Sequence, residues 1–237
     1  MKQRANTKDE AESDRIGSAG SWRRCLIYRT TTYKTTWKLR LAILSLVLIL
    51  AMTTRGWWGP AIGWGLVTDS GFCEPDLILI DNLDIDYLLF EKAEELMKHC
   101  GAATVLVPVT ASGQDPERPG LVPRGIAEVM IRVAHLESTE LLPIREIEPI
   151  TLNAARQVGE FLKSRPDVHS VLIVTGGFKS KRMQLIFSSV LGQMGVVAYC
   201  FPVWGTKRPE NWTASWHGVQ EVLLQYLKLA YYRALVL

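Results

Sequence analysis

The run V-L-I-V from Val171 to Val174 has no polar position on either face, and it meets Gly176-Gly177 within two residues. A strand of that kind is buried on both sides, which is the habit of a parallel sheet covered by helices. Beyond the glycines, Met183, Ile186 and Phe187 recur at helical spacing behind Lys179, Lys181 and Arg182. Val171 to Phe187 therefore reads as a strand, a tight turn and a helix. Glycine backbone and free N–H groups at the helix start suit an anion, and the cations stand where a helix usually prefers acids. The same residues also suit a plain turn with a solvated basic first turn.

The alternation repeats along the chain. Leu77–Ile80, Thr104–Val109, Leu141–Ile147, Val171–Thr175 and Val196–Val203 read as strands, the third weakened by Pro143. Tyr87–Lys98, Gly125–Ala134, a helix capped by Thr151, Ser180–Leu191 and a last helix carrying Val219, Val222, Leu223, Tyr226, Leu227 and Leu229 fall between and after them. The fold class expected is α/β, a Rossmann-like, mainly parallel sheet flanked by helices. In such sheets ligands bind beyond the carboxyl ends of the strands. The candidate binding residues are accordingly Asp81, Asn82, Thr110, Thr151, Asn153, Thr175, Gly176, Gly177, Lys179 and Arg182, with Ser112 in the same loop as Thr110 and Glu221 added from the last helix.

Several of these residues have competing uses. Asp81, Asn82, Asp84 and Asp86 suit acid/base work or an oxygen-ligand metal site, and equally a strand end leading into a helix start. Thr110 and Ser112 also suit plain loop backbone bonding. Lys179 and Arg182 repel the helix dipole, a cost that an anionic ligand or an acidic neighbour such as Glu221 would relieve.

Ahead of the domain, Leu41–Met52 is apolar apart from Ser45 and is flanked by Trp37, Lys38 and Arg40 on one side and Arg55, Trp57 and Trp58 on the other. The uncharged run is short of the roughly 20 residues that span a bilayer, yet snorkelling cations and interfacial aromatics extend it. A single transmembrane helix over 37–58 is expected, in preference to a signal peptide or a buried core helix. Ten Lys and Arg against four Asp and Glu between Met1 and Arg40 place a basic, mobile tail over 1–36 in the cytoplasm. The domain over 75–237 then faces the periplasm or the cell exterior, after a Gly/Trp-rich linker over 59–74. The net charge of +3 belongs to that tail, which argues against nucleic acid as a partner.

Cys25, Cys73, Cys100 and Cys200 show no zinc spacing, and His99, His135, His169 and His217 have no evident nucleophile beside them. No metal is expected. Buried free thiols are expected at Cys100 and Cys200, with a disulfide among the three downstream cysteines as the extracytoplasmic alternative. No P-loop, G-x-S-x-G, H-E-x-x-H or intact G-x-G-x-x-G is present. The residues point to a polar or anionic small molecule, nucleotide-like ligands included, and assign no cofactor and no reaction. A Trp-rich loop with Trp204, Trp212 and Trp216, together with the last helix, reads in the alternative as a docking surface for a protein partner.

From about Pro75 to Tyr232 the chain resembles the YdcF-like, SanA-like and ElyC-like family, domain of unknown function 218. The resemblance rests on V-L-I-V-T-G-G-F-K-S-K-R-M-Q-L-I-F, on T-L-N-A-A-R from Thr151 to Arg156, and on the closing W-x-x-x-W-H-G-V-Q-E-V-L-L-Q-Y-L-K-L-A-Y-Y from Trp212 to Tyr232. Arg182 falls on the family arginine, Lys179 stands where histidine is common, and Glu221 and Lys228 occupy matching positions. Asp81-Asn82-Leu83 and Pro108-Val109-Thr110 stand where glycine-rich turns are usual, and Asn153 and Ala154 replace a Glu and an Asn. The resemblance implies a Rossmann-like fold and a link to cell-envelope biogenesis or barrier function.

Overall fold

The structure, a computed structural model, describes residues 36–71, 74–100, 104–111 and 121–236. The basic tail before residue 36, Cys25, Cys73 and Ser112 lie outside them. The chain divides into two units, split between Met52 and Thr53. In the first, helix α1 (Trp37–Thr53) carries Lys38 and Arg40 in its first turn, is apolar from Leu41 to Met52 apart from Ser45, and has no buried residue. The helix expected to continue through Trp58 ends at Thr53, where two threonines, an arginine and a glycine interrupt the apolar run. Among the described residues no single helix is long and apolar enough to cross a membrane; α1 and the next helix, α2 (Arg55–Trp64), reach that length and composition only jointly.

The second unit contains α2, which occupies part of the stretch expected as a linker. Trp212 Nε1 donates to the Gly59 carbonyl at 2.7 Å and Tyr226 Oη to the Ile62 carbonyl at 2.7 Å. Gly63 permits this docking, because a Cβ there would stand 2.7 Å from Pro209 Cα.

The sheet has five strands: β1 (Leu77–Ile80), β2 (Thr104–Thr110), β3 (Thr139–Ile144), β4 (Ser170–Gly176) and β5 (Val197–Val203). All neighbours pair parallel, in the order β3-β2-β1-β4-β5. Every residue of β1 is buried, as a central strand covered on both faces requires. Pro143 lies in β3, an edge strand, where a missing N–H costs least.

Side-chain alternation divides the core into two layers. Ile78, Ile80, Val105, Val107, Leu172 and Val174 pack against α3 (Tyr87–Cys100) and α4 (Leu121–Val133). Leu77, Leu79, Leu106, Val171 and Ile173 pack against α5 (Ile150–Leu162) and α6 (Ser180–Gly192). Because the chain runs β1, β2, β3 to one side and returns to add β4 and β5 on the other, the connections diverge between β1 and β4. Their carboxyl ends frame the crevice at which ligands bind in sheets of this kind.

The last helix, α7 (Trp216–Val236), turns Val222, Gln225, Leu229 and Tyr232 inward. Leu223 and Leu227, expected on its apolar core face, are instead exposed, as are Trp216 and Leu224.

Candidate functional site

At the end of β1 the backbone N–H of Asp81 donates to the Val174 carbonyl, so the residue continues the β1–β4 ladder by one step. This buries its carboxylate at the diverging point, where Oδ2 accepts a hydrogen bond from Thr175 Oγ1 at 2.7 Å. Thr175 is the penultimate residue of β4. Asn82 is buried next to Asp81; its Nδ2 donates to the Pro108 carbonyl at 3.1 Å, and its Oδ1 has no partner among the described residues.

The other wall comes from two helix starts. Thr151 lies in the first turn of α5, which begins at Ile150; Thr151 is therefore not the cap the sequence suggested. Its hydroxyl oxygen faces Arg182, in the first turn of α6, and accepts from Nη1 at 2.8 Å. Arg182 Nε donates to Gln225 Oε1 at 3.3 Å, and the guanidinium stacks 5.6 Å from the ring centre of Tyr232. The side chain is buried, with 5% of the residue exposed, and makes no ion pair among the described residues.

A cleft of about 280 Å³ opens between these walls. Asp81, Asp84 and Glu148 bring carboxylates to it, Arg182 and Lys228 bring cations, and Thr151, Tyr231 and Tyr232 complete its polar and aromatic lining. Burial opposes ionisation of Asp84, but the hydrogen bond and charge of Lys179, with the charges of Lys228 and Arg182, hold its carboxyl below the ordinary aspartate value.

The glycine turn is packed shut. A Cβ on Gly177 would lie 2.1 to 2.4 Å from ring atoms of Trp204, so that glycine admits an indole and not a ligand. The N–H groups expected to be free at the start of α6 are partly taken: Lys181 N donates to the Leu66 carbonyl at 3.2 Å. Lys181 Nζ donates to the Gly65 carbonyl at 2.8 Å, where a cation complements the last carbonyls of α2. Ser180 Oγ donates to the Gly177 carbonyl and accepts from Thr68 N, closing the same seam.

The candidate residues thus part company. Asp81, Thr151 and Arg182 meet at the cleft, and Thr175 reaches it through Asp81. Lys179 pairs with Asp84 and stands outside the lining, as does Gly176. Asn153 donates to the Ile147 carbonyl and holds its own loop, and Thr110 ends β2 without a place in the cleft. Glu221, suggested as the acidic neighbour of the helix cations, pairs with Lys207 at 2.7 Å; Asp84 has that role.

Residue-by-residue reading missed Glu148, Gln225, Tyr231 and Tyr232 as members of the site. A signal for two of them existed in Tyr231-Tyr232 following Lys228 on one helix, but their direction depends on how α7 is rotated against α6. Trp212 is buried under α2, and the half-buried Trp204 packs against the glycine turn, so neither forms a lid on the cleft. Cys200 is a buried free cysteine whose thiol is pushed far up by burial and by the nearby Asp81 charge, which makes it a poor nucleophile. Among the described residues no three His, Cys, Asp or Glu side chains converge as a metal site. Comparison with family models, with curated proteins and with solved structures finds no match to this chain.

Proposed function

We propose that the chain is a membrane-anchored, extracytoplasmic α/β domain that binds a small phosphate- or carboxylate-bearing ligand in the β1–β4 crevice. The observation that carries the anion is Arg182. Removing one cation from water costs several kcal/mol even after relaxation. Two hydrogen bonds from neutral partners and a ring face recover part of that, at roughly 1.5 to 3 kcal/mol for a bond to a charged group and about 0.5 to 2 for the ring. Asp84 lies within electrostatic reach of Arg182 but pairs with Lys179, so an anion seated in the cleft would give the guanidinium the direct ion pair it lacks. The anchor reading is supported by α1, whose apolar side chains find no burial within their own unit, and by the basic tail that precedes it. With the YdcF-like resemblance this suggests a role in cell-envelope biogenesis or barrier function, and no reaction is assigned.

Titration calorimetry of the full chain in detergent with inorganic phosphate tests the reading. Arg182→Gln should weaken binding by about tenfold or more, the worth of an ionic hydrogen bond. Unchanged affinity in that variant sinks the proposal. The alternative, a scaffold that docks a protein through its Trp-rich loop and last helix, draws on Trp216, Leu223 and Leu227, which stand exposed along α7.

A further inference from the structure

The cleft is not lined as a simple anion trap. It brings three carboxylates, Asp81, Asp84 and Glu148, against two cations, Arg182 and Lys228. Asp84 is answered by Lys179 from outside the lining. Asp81 and Arg182 are both more than nine-tenths buried and of opposite sign, and they border the same 280 Å³, yet they form no ion pair. Each is held by a threonine hydroxyl instead: Thr175 donates to Asp81, and Thr151 accepts from Arg182. Thr175 occupies Oδ2 of Asp81, and no hydrogen bond reaches Oδ1 from the described residues. Opposite charges held apart at one cleft can each take a further partner from a ligand, a donor at Asp81 and an anion at Arg182.

Resting on the reading of the cleft as an anion site, we infer that its ligand is bifunctional: a small anion that also carries a hydroxyl or ammonium donor a few bonds away. The anionic group faces Arg182 and Lys228, and the donor faces the open oxygen of Asp81. A hydroxylated phosphate or carboxylate, or an amino-bearing one, fits this pattern; a plain alkyl phosphate meets only half of it.

Matched probes test the inference on the full chain in detergent by calorimetry: glycerol 3-phosphate against n-propyl phosphate, and phosphoethanolamine against ethyl phosphate. At least one donor-bearing member should bind about tenfold tighter than its partner. Asp81→Asn presents an amide donor in place of the open acceptor and removes a negative charge beside the anion, so it should erase that advantage, and alkyl phosphate affinity should not fall. Equal affinities within both wild-type pairs, with Arg182→Gln still weakening all four, overturn the bifunctional ligand and leave the anion site standing. Failure of all four probes to bind overturns both. The wild-type comparison needs no variant, so a misfolded Asp81→Asn does not shield the claim.

Discussion

Strand β1 is flanked by two aspartates, and they are treated in opposite ways. At its amino end, one oxygen of Asp76 accepts from His169 N, Ser170 N and Ser170 Oγ at 2.8 to 2.9 Å, and Ser170 Oγ also accepts from Asp76 N. At its carboxyl end, Asp81 accepts a single side-chain bond, from Thr175. Both pairs tie β1 to β4. The first is a finished latch on an exposed side chain, and the second is a buried charge with an oxygen to spare. Stability is built into one end of the strand pair, and open bonding capacity is kept at the other, beside Arg182.

Substitutions can break this contrast in either direction. The largest effect is expected at the carboxyl end but outside the cleft. Gly177→Ala should cost about 1 to 3 kcal/mol in denaturant unfolding, because its Cβ would displace the Trp204 ring. Gly176→Ala meets only the Lys179 side chain at 3.8 Å and should change stability by less than about 0.5 kcal/mol. Equal costs would mean that the turn, and not the indole, selects glycine.

Next in size is the latch. Asp76→Ala should lose about 1 to 2 kcal/mol at neutral pH, with phosphate affinity unchanged. Burial raises the Asp76 carboxyl, but the bonds from His169 and Ser170 together outweigh it and hold the group below the ordinary 3.8. A depressed carboxyl of this kind stabilises the fold fully above 3.8 and loses that contribution as pH falls through its folded value. The gap between wild type and variant should therefore close under acid. A gap that persists there would show that the side chain acts by packing.

A smaller effect than the latch's is expected at Asp84. It is mostly exposed, and its ion pair with Lys179 should be worth less than about 1 kcal/mol, so Asp84→Asn should barely move the unfolding midpoint. Its depressed carboxyl gives it the same sign of pH dependence as Asp76, in the same range below 3.8. A large loss on substitution would make Asp84 part of the latch and weaken its place on the cleft.

The parallel sheet was legible because its signals are local. The bounds of β1 follow from four consecutive apolar residues between Asp76 and Asp81, and Pro143 still reads as strand because β3 lies at an edge. The site was legible only as far as chain order reaches. Asp81, Thr175 and Arg182 could be placed on one rim because parallel strands align their carboxyl ends. What fills the glycine turn could not, since Trp204 and the carbonyl of Leu66 arrive from the loop after β5 and from the segment after α2. The turn of α7 that brings Gln225 and Tyr232 to Arg182 is likewise set by tertiary packing; the hydrophobic pattern alone favoured a face that included Leu223 and Leu227.

The central claim is that Arg182 is kept for a ligand and not for the fold, and a single substitution reads both roles. Thermal unfolding of Arg182→Met and wild type, each with and without inorganic phosphate, compares them directly. The ligand-free variant should be as stable as wild type or more so, since a buried unpaired charge is replaced by an apolar chain of similar length, and phosphate should raise the midpoint of wild type well beyond that of the variant. A ligand-free variant destabilised by about 3 to 5 kcal/mol, as when one partner of a buried ion pair is removed, or a midpoint raised by phosphate as far as that of wild type, would contradict it.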